Sequence, residues 1–419
     1  MRSVRARFLS VTAAAAAAVV VLTACGSGGS AGSSSGSRPI VVGISLSLTG
    51  GFSADGQAFK RGYQLWQSDV NSHGGILGRQ VKLIILNDNS SPATVVSNYR
   101  KLITADHVNL TFGPFSSLLT APAAVEVGKY GYAMIEGAGT APIVFSQKLH
   151  NVFSPSLPVT DYMVPFAKWI ASLPASQRPK TAAYPQANDP FADPPVQTAK
   201  KILTAAGVTN VYSDTFAEQA SAAKASRYKP IADKVAASGA QLVVLGSTDV
   251  PTVQEFMQTF EQQHYNPKIF IAASGPDQGD AFVSAVGKAD SDGMMVPDGW
   301  YGSYNNALSD VMVQDYIAKY GGNSSDINSD VAEAYSVGQV AALAVSATGG
   351  TDNSKIIRYL HSGVTLNTVQ GPAQFDAIGE NPRAAAFIFQ WQDGNFNQVL
   401  PVTDPGSVKI TNPKPAWAS

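Results

Sequence analysis

Two hydrophobic rhythms alternate along this chain. Short apolar runs at 40–44, 81–86, 108–112 and 132–135 are separated by longer stretches in which apolar residues recur every three or four positions. Runs of this length and β-branched content predict buried strands, and the stretches between them predict amphipathic helices. Between the first two runs, Phe59, Tyr63, Trp66 and Val70 are spaced by four, three and four. His73-Gly74-Gly75 then closes the helix with the residue type that best tolerates a left-handed cap. Val95, Tyr99, Leu102 and Ile103 mark a second helix. After Pro158 the pattern restarts with a helix carrying Tyr162, Phe166, Trp169 and Ile170. Strands follow at 181–184, 208–212, 242–245 and 269–272, with helices between them, and residues 385–391 read as a last strand. Alternating strand and helix predicts parallel sheets covered on both faces. The restart predicts two similar halves, so the expected fold class is α/β with two doubly wound parallel-sheet domains.

The N-terminal 37 residues follow neither rhythm. Arg2, Arg5 and Arg7 precede an apolar stretch over 8–22, the charged and hydrophobic regions of an export signal, too short for a membrane span. Leu22-Thr23-Ala24-Cys25 resembles a lipobox, which implies cleavage before Cys25 and lipid attachment to its sulfur. Residues 26–37 are almost all Gly and Ser, a tether with a reach of roughly 20 Å. Removal of 1–24 takes away three arginines and no acid, leaving 26 Lys+Arg against 30 Asp+Glu. No basic field is present to attract nucleic acid. Cys25 is the only cysteine, so the folded part has no disulfide, and five scattered histidines offer no local metal-site spacing.

Catalytic signatures are missing. No G-x-S-x-G, P-loop or H-E-x-x-H segment occurs. Gly137-Ala138-Gly139 begins like a dinucleotide fingerprint, but Thr140-Ala141-Pro142 supplies no third glycine. Asp189, Asp193, Asp249 and Asp277 stand singly and read first as solvated loop acids. The informative feature is a pair of small polar segments at adjacent strand ends, Gly113-Pro114-Phe115-Ser116-Ser117 and Glu136-Gly137-Ala138-Gly139-Thr140. In open parallel sheets that edge binds ligands, and backbone N–H groups at a helix start hold anions.

These segments and others in the same order resemble the leucine/isoleucine/valine-binding protein family, substrate-binding proteins of ABC importers. The shared blocks are Leu48-Thr49-Gly50 to Gly56, Asn71-Ser72-His73-Gly74-Gly75-Ile76-Leu77-Gly78, Asn87-Asp88, Gly113 to Ser117, Gly137 to Pro142, Gly371-Pro372 and Phe389-Gln390-Trp391. The resemblance implies a type I periplasmic binding fold, with two lobes joined by three crossovers and closing around a central cleft. It implies lobes of 39–157 with 297–384, and of 158–296 with 385–419, after a signal segment 1–24 and a lipidated tether 25–38. It places Ser117 and the backbone of Ala138 and Thr140 at a ligand carboxylate. Phe191, Thr248 and Tyr335 fall where the family carries aromatic residues. Ser274 stands where amino-acid binders carry the acid that pairs with the ligand's ammonium. Asp55 or Asp277 can take that role, or the ligand lacks an amine. Ser117 also suits a helix cap, and Tyr335 lies on an apolar helix face with Val331, Gly338 and Ala342.

The expected protein is therefore a monomeric, cofactor-free, lipid-anchored solute receptor on the extracytoplasmic face of a cell membrane. It is not an enzyme. It delivers an amino acid or a related small polar ligand to an ABC permease. A sensor domain of the same fold, without transport, is the alternative.

Overall fold

The structure, a computed structural model, describes residues 38–217, 228–304 and 306–418. Cys25, the export-signal segment and the Gly/Ser tether lie outside the described residues.

The first sheet is built from β1 (Ile40–Leu46), α1 (Ser53–Ser72), β2 (Val81–Asn87), α2 (Pro92–Thr104), β3 (Leu110–Phe112), α3 (Ser117–Gly128), β4 (Met134–Ile135), α4 (Pro142–Phe145) and β5 (Val152–Phe153). Its strands lie in the order β2-β1-β3-β4-β5, all parallel. The chain then passes to a second sheet through α5 (Val164–Ser172), β6 (Thr181–Ala187), α6 (Asp193–Ala205), β7 (Thr209–Phe216), α7 (Lys229–Ser238), β8 (Leu242–Leu245), α8 (Val250–Gln262), β9 (Ile269–Ala272), α9 (Asp280–Val286), α10 (Lys288–Ser291) and β10 (Met294–Asp298). After β10 it returns to the first lobe for α11 (Ala307–Tyr320), α12 (Ser329–Thr348), α13 (Asn353–Leu360) and a small hairpin of β11 (Leu366–Thr368) and β12 (Gly371–Ala373). It crosses a third time to β13 (Phe387–Gln392) and β14 (Asn395–Leu400).

The second sheet has the order β14-β13-β10-β9-β8-β6-β7. Its first five strands in the chain are parallel, and β13 runs antiparallel to both β10 and β14. The two doubly wound α/β sheets and three crossovers are those the sequence predicts. Strand β10 runs through position 297, so the second crossing comes at Gly299.

Helices cover both faces of each sheet because each strand face is apolar. In the first lobe α1 and α12 close one core with Phe59, Tyr63, Trp66 and Val337, and α2 and α3 close the other with Tyr99, Leu102 and Leu119. In the second lobe α5 and α6 face one core, and α7 and α8 face the other. The α1–α12 contact is close. A Cβ added to Gly338 would lie 2.2 Å from the Trp66 ring, and one added to Gly62 would lie 2.3 Å from the Val331 carbonyl. The C-terminal residues lie along the second lobe, where the Lys414 N–H donates to the Lys268 carbonyl at 2.7 Å and the Trp417 indole to the Tyr265 carbonyl at 2.8 Å.

Candidate ligand-binding cleft

Strand β1 ends in the loop 47–52, which turns into α1 and places Phe52 and Asp55 at the C-terminal edge of the first sheet. The loop after β3 contributes Phe115 and Ser116, and the loop after β4 contributes Ala138. The second sheet contributes Asp189 and Phe191 after β6, Thr248 after β8, Ala273, Ser274, Asp277 and Gln278 after β9, and Pro297 and Asp298 from β10. The N-terminal turn of α12 adds Ser329, Asp330 and Glu333, and Tyr162 completes the wall. Together these residues line a cleft between the two sheets. Both sheets meet it with the carboxyl ends of their strands, the edge where open α/β sheets bind ligands.

Direct hydrogen bonds cross the cleft. The Gln278 amide Nε2 donates to Asp55 Oδ1 at 3.0 Å, and Asn328, which caps α12, donates to Gln278 Oε1 at 3.0 Å. One side chain of the second lobe is thus held by two elements of the first.

Much of the lining is carboxylate. Asp189 Oδ1 accepts the N–H groups of Phe191 at 2.7 Å and Ala192 at 3.3 Å. Asp277 Oδ1 accepts from Gly275 N–H at 2.6 Å and from the Ser274 hydroxyl at 3.2 Å. Asp298 Oδ1 accepts from Gly299 N–H at 2.6 Å and Trp300 N–H at 3.4 Å. Asp330 is 8 % exposed, and its Oδ2 is buried with no N–H group or hydroxyl donating to it.

Burial, with the neighbouring charges of Asp277 and Asp249, pushes the Asp55 carboxyl up to about 7. Burial with the Asp277 charge does the same for Asp298. Asp330 and Glu333 are raised well above the ordinary carboxylate range by burial first and by the surrounding acids second. Asp277 is raised by burial, against the hydrogen bonds it accepts. Desolvation disfavours the charged form, and like charges in one space add to it.

The structure brings Asp55, Ala138, Phe191, Thr248 and Ser274 to the cleft. Three further expected site residues stand elsewhere. Ser116, with φ +72°, turns the chain and caps α3, so Ser116 reaches the cleft. Ser117 points behind it, fully buried, with its Oγ accepting the Ala141 N–H at 3.2 Å. Thr140 is buried below the cleft wall, and its carbonyl accepts the Val159 N–H at 3.2 Å, which ties the β4 loop to the first crossover. Tyr335 sits two residues, about 200° of helical rotation, beyond Glu333 on α12. It lines a separate groove with Trp66, and its hydroxyl donates to Asp69 Oδ2 at 2.8 Å.

The sequence profile of the family described as "Periplasmic binding protein" matches residues 39–395. The chain belongs to that family.

A relative of this binding protein, Leu/Ile/Val-binding protein homolog 3 of Brucella melitensis biotype 1, is 21 % identical over 358 residues, covering 85 % of this chain and 92 % of the relative. Among solved structures, the branched-chain amino acid transporter substrate binding protein LivJ of Streptococcus pneumoniae, in complex with isoleucine, superposes with a TM-score of 0.73 at 18 % identity. That match spans 90 % of this chain and 100 % of LivJ. A solute binding protein of an ABC transporter from R. palustris, in complex with benzoate, superposes with a TM-score of 0.72 at 18 % identity, over 90 % of this chain and 98 % of that one. At these identities the solved structures establish the shared fold. Isoleucine and benzoate, a zwitterion and an anion, are the ligands of those proteins.

Asp298, Asp330 and Glu333 of this binding protein carry no local motif in the sequence. A signal was present for each. Asp298 ends the apolar run of β10, and Asp330 and Glu333 are three apart in the first turns of a helix, hence on one face. Among the described residues no group of His, Cys, Asp or Glu is arranged to hold a metal ion, and no helix is long and apolar enough to cross a membrane.

Proposed function

We propose that this protein is the solute receptor of an ABC importer, tethered on the extracytoplasmic side of a membrane through lipid on Cys25. It captures one small polar ligand by closure of its two lobes. The observation that carries the reading is the Gln278 bridge: the cleft walls come from both lobes, and one side chain already spans them. A ligand touching both walls favours the closed form, because only differential affinity shifts an open–closed balance. Periplasmic binding proteins are themselves established examples of hinge closure. The lobes are 39–157 with 299–384, and 158–298 with 385–419, so that β10 stays whole.

Asp55, Ala138, Phe191, Thr248 and Ser274 are the proposed ligand contacts from the expected set. Ser116 joins them at the positive end of α3, where it can hold a ligand carboxylate. Ser117 and Thr140 support that wall from behind through Ala141 and Val159. The protein works as a monomer, without cofactor and without catalysis.

A thermal-shift screen of amino acids, small carboxylates, amides, amines and aromatic acids tests the reading. At least one class is expected to raise the melting temperature saturably and to shrink the radius of gyration in small-angle scattering. A flat response across all classes, with protein cleared of co-purified ligand, would rule it out.

A further inference from the structure

The cleft has a charge imbalance that neither isoleucine nor benzoate explains. Asp55, Asp189, Asp277, Asp298, Asp330 and Glu333 all line it, and no Lys, Arg or His is among its lining residues. Arg61 lines an adjoining cavity that shares Asp277, Gln278 and Asp298 with the cleft. Glu136, buried beneath Ala138, adds a further acid that is tied to the Gly139 N–H. Buried carboxylates need a partner or a proton. Asp189, Asp277 and Asp298 meet part of that need with backbone N–H groups. Asp330 meets it only with the neighbouring carboxyl of Asp55: no N–H group or hydroxyl donates to its Oδ2, which is buried in the cleft wall. An acceptor in that condition marks the place of a donor that arrives with the ligand.

Two observations narrow the class of that donor. No metal-ligating arrangement exists among the described residues, so the acids are spread around a volume rather than converged on a point. The rest of the lining includes four aromatic rings, Phe52, Phe115, Tyr162 and Phe191, with Phe191 standing edge-on to Tyr162 at 5.5 Å. Aromatic faces and carboxylates lining one cleft suit alkylammonium groups, whose charge the rings also attract. The acids come from both lobes, Asp55, Asp330 and Glu333 from the first and Asp189, Asp277 and Asp298 from the second, so both walls of the cleft present carboxylates to a ligand between them.

We infer that the ligand is a small organic cation with at least two protonated nitrogens, held by Asp55 and Asp330 of one lobe and by Asp277 and Asp298 of the other. This rests on the solute-receptor reading and names its substrate class. Two sources share the chemistry: a free diamine, or a diamino acid whose carboxylate meets Ser116 and the start of α3.

Calorimetric titration of the full-length, ligand-cleared protein distinguishes them, with putrescine and cadaverine as diamines, lysine and ornithine as diamino acids, and leucine, benzoate and calcium chloride as counter-probes. At least one diamine or diamino acid is expected to bind at least 100-fold more tightly than leucine or benzoate, and the preferred pair identifies the source. Binding is expected to release protons, read from the dependence of the heat on buffer ionisation. Tighter binding of leucine or benzoate, or binding of calcium alone, overturns the inference and leaves the receptor reading intact. Silence from every probe here and from the wider thermal-shift screen overturns both. Asp330→Asn keeps the shape and removes the charge. It is expected to weaken the cation at least tenfold without lowering the melting temperature, and Glu333→Gln is expected to weaken it in the same direction. Unchanged cation affinity in both variants also overturns the inference.

Discussion

Ser274 shows how one position depends on its neighbours. A serine where related binders carry an acid leaves, in sequence, Asp55 or Asp277 as the ammonium partner, or a ligand without an amine. In the fold its hydroxyl orients Asp277, which faces the cleft. The neighbouring pair Ser116 and Ser117 is a converse case. Their order around the turn depends on the left-handed backbone of Ser116, a conformation unusual for serine and invisible in the letters. The acids also set a pH signature. The folded state holds protons on Asp55 and Asp298 up to about 7, whereas an unfolded aspartate releases its proton near 4. The fold therefore binds more protons than the unfolded chain between those values, and stability falls as pH rises through that window. The ligand-free protein is expected to melt at a lower temperature at pH 8 than at pH 5. A melting curve that is level or rising over that range would contradict the assigned burial.

Among the elements, those with an apolar run or a helical period were legible, and β5, β10 and β14 were not. The spacing of Phe59, Tyr63, Trp66 and Val70 defines α1 because the helix packs one face against β1 and α12. Strand β5, with two residues, has no length over which a period can show. Strand β10 contains Pro297, which breaks the pattern of a buried strand. The proline is tolerated at the end of the strand, beside an antiparallel partner. Tyr335 was placed correctly on an apolar helix face, but rotation about α12, not sequence distance, decides which residues meet the cleft. The α1–α12 contact depends on residues without side chains. Gly338→Ala puts a methyl group against the Trp66 ring, and overpacking of this kind costs about 1–3 kcal/mol. Chemical denaturation should show that loss with an unchanged m-value, and an unaltered midpoint would mean that the two helices separate easily.

At the scale of the whole molecule, the order of strands and the restart after Pro158 were enough to predict two doubly wound lobes, because hydrophobic periodicity is repeated in every unit. The acid cluster was not legible, because its members come from five separate segments that only the folded topology brings together. The Gln278 bridge belongs to this scale. It joins Asp55 and Asn328 through two hydrogen bonds, one of them to a carboxylate, and such bonds contribute about 0.5–3 kcal/mol each. Gln278→Ala is expected to shift the ligand-free protein toward a more extended scattering profile. It is also expected to weaken ligand binding roughly tenfold, about 1.4 kcal/mol. An identical profile and affinity would show that the bridge adds nothing to closure.

The second crossover has a practical consequence. Asp298 accepts the N–H groups of Gly299 and Trp300, the residues by which the chain leaves the second sheet. The Trp300 indole is buried in the first lobe and donates to Ser309 at 2.9 Å. A charge arriving at Asp298 is therefore two residues from an indole whose emission depends on its surroundings. Loading is therefore expected to change the Trp300 contribution to the intrinsic fluorescence, and a Trp300→Phe variant that keeps the full change would show that other tryptophans report it.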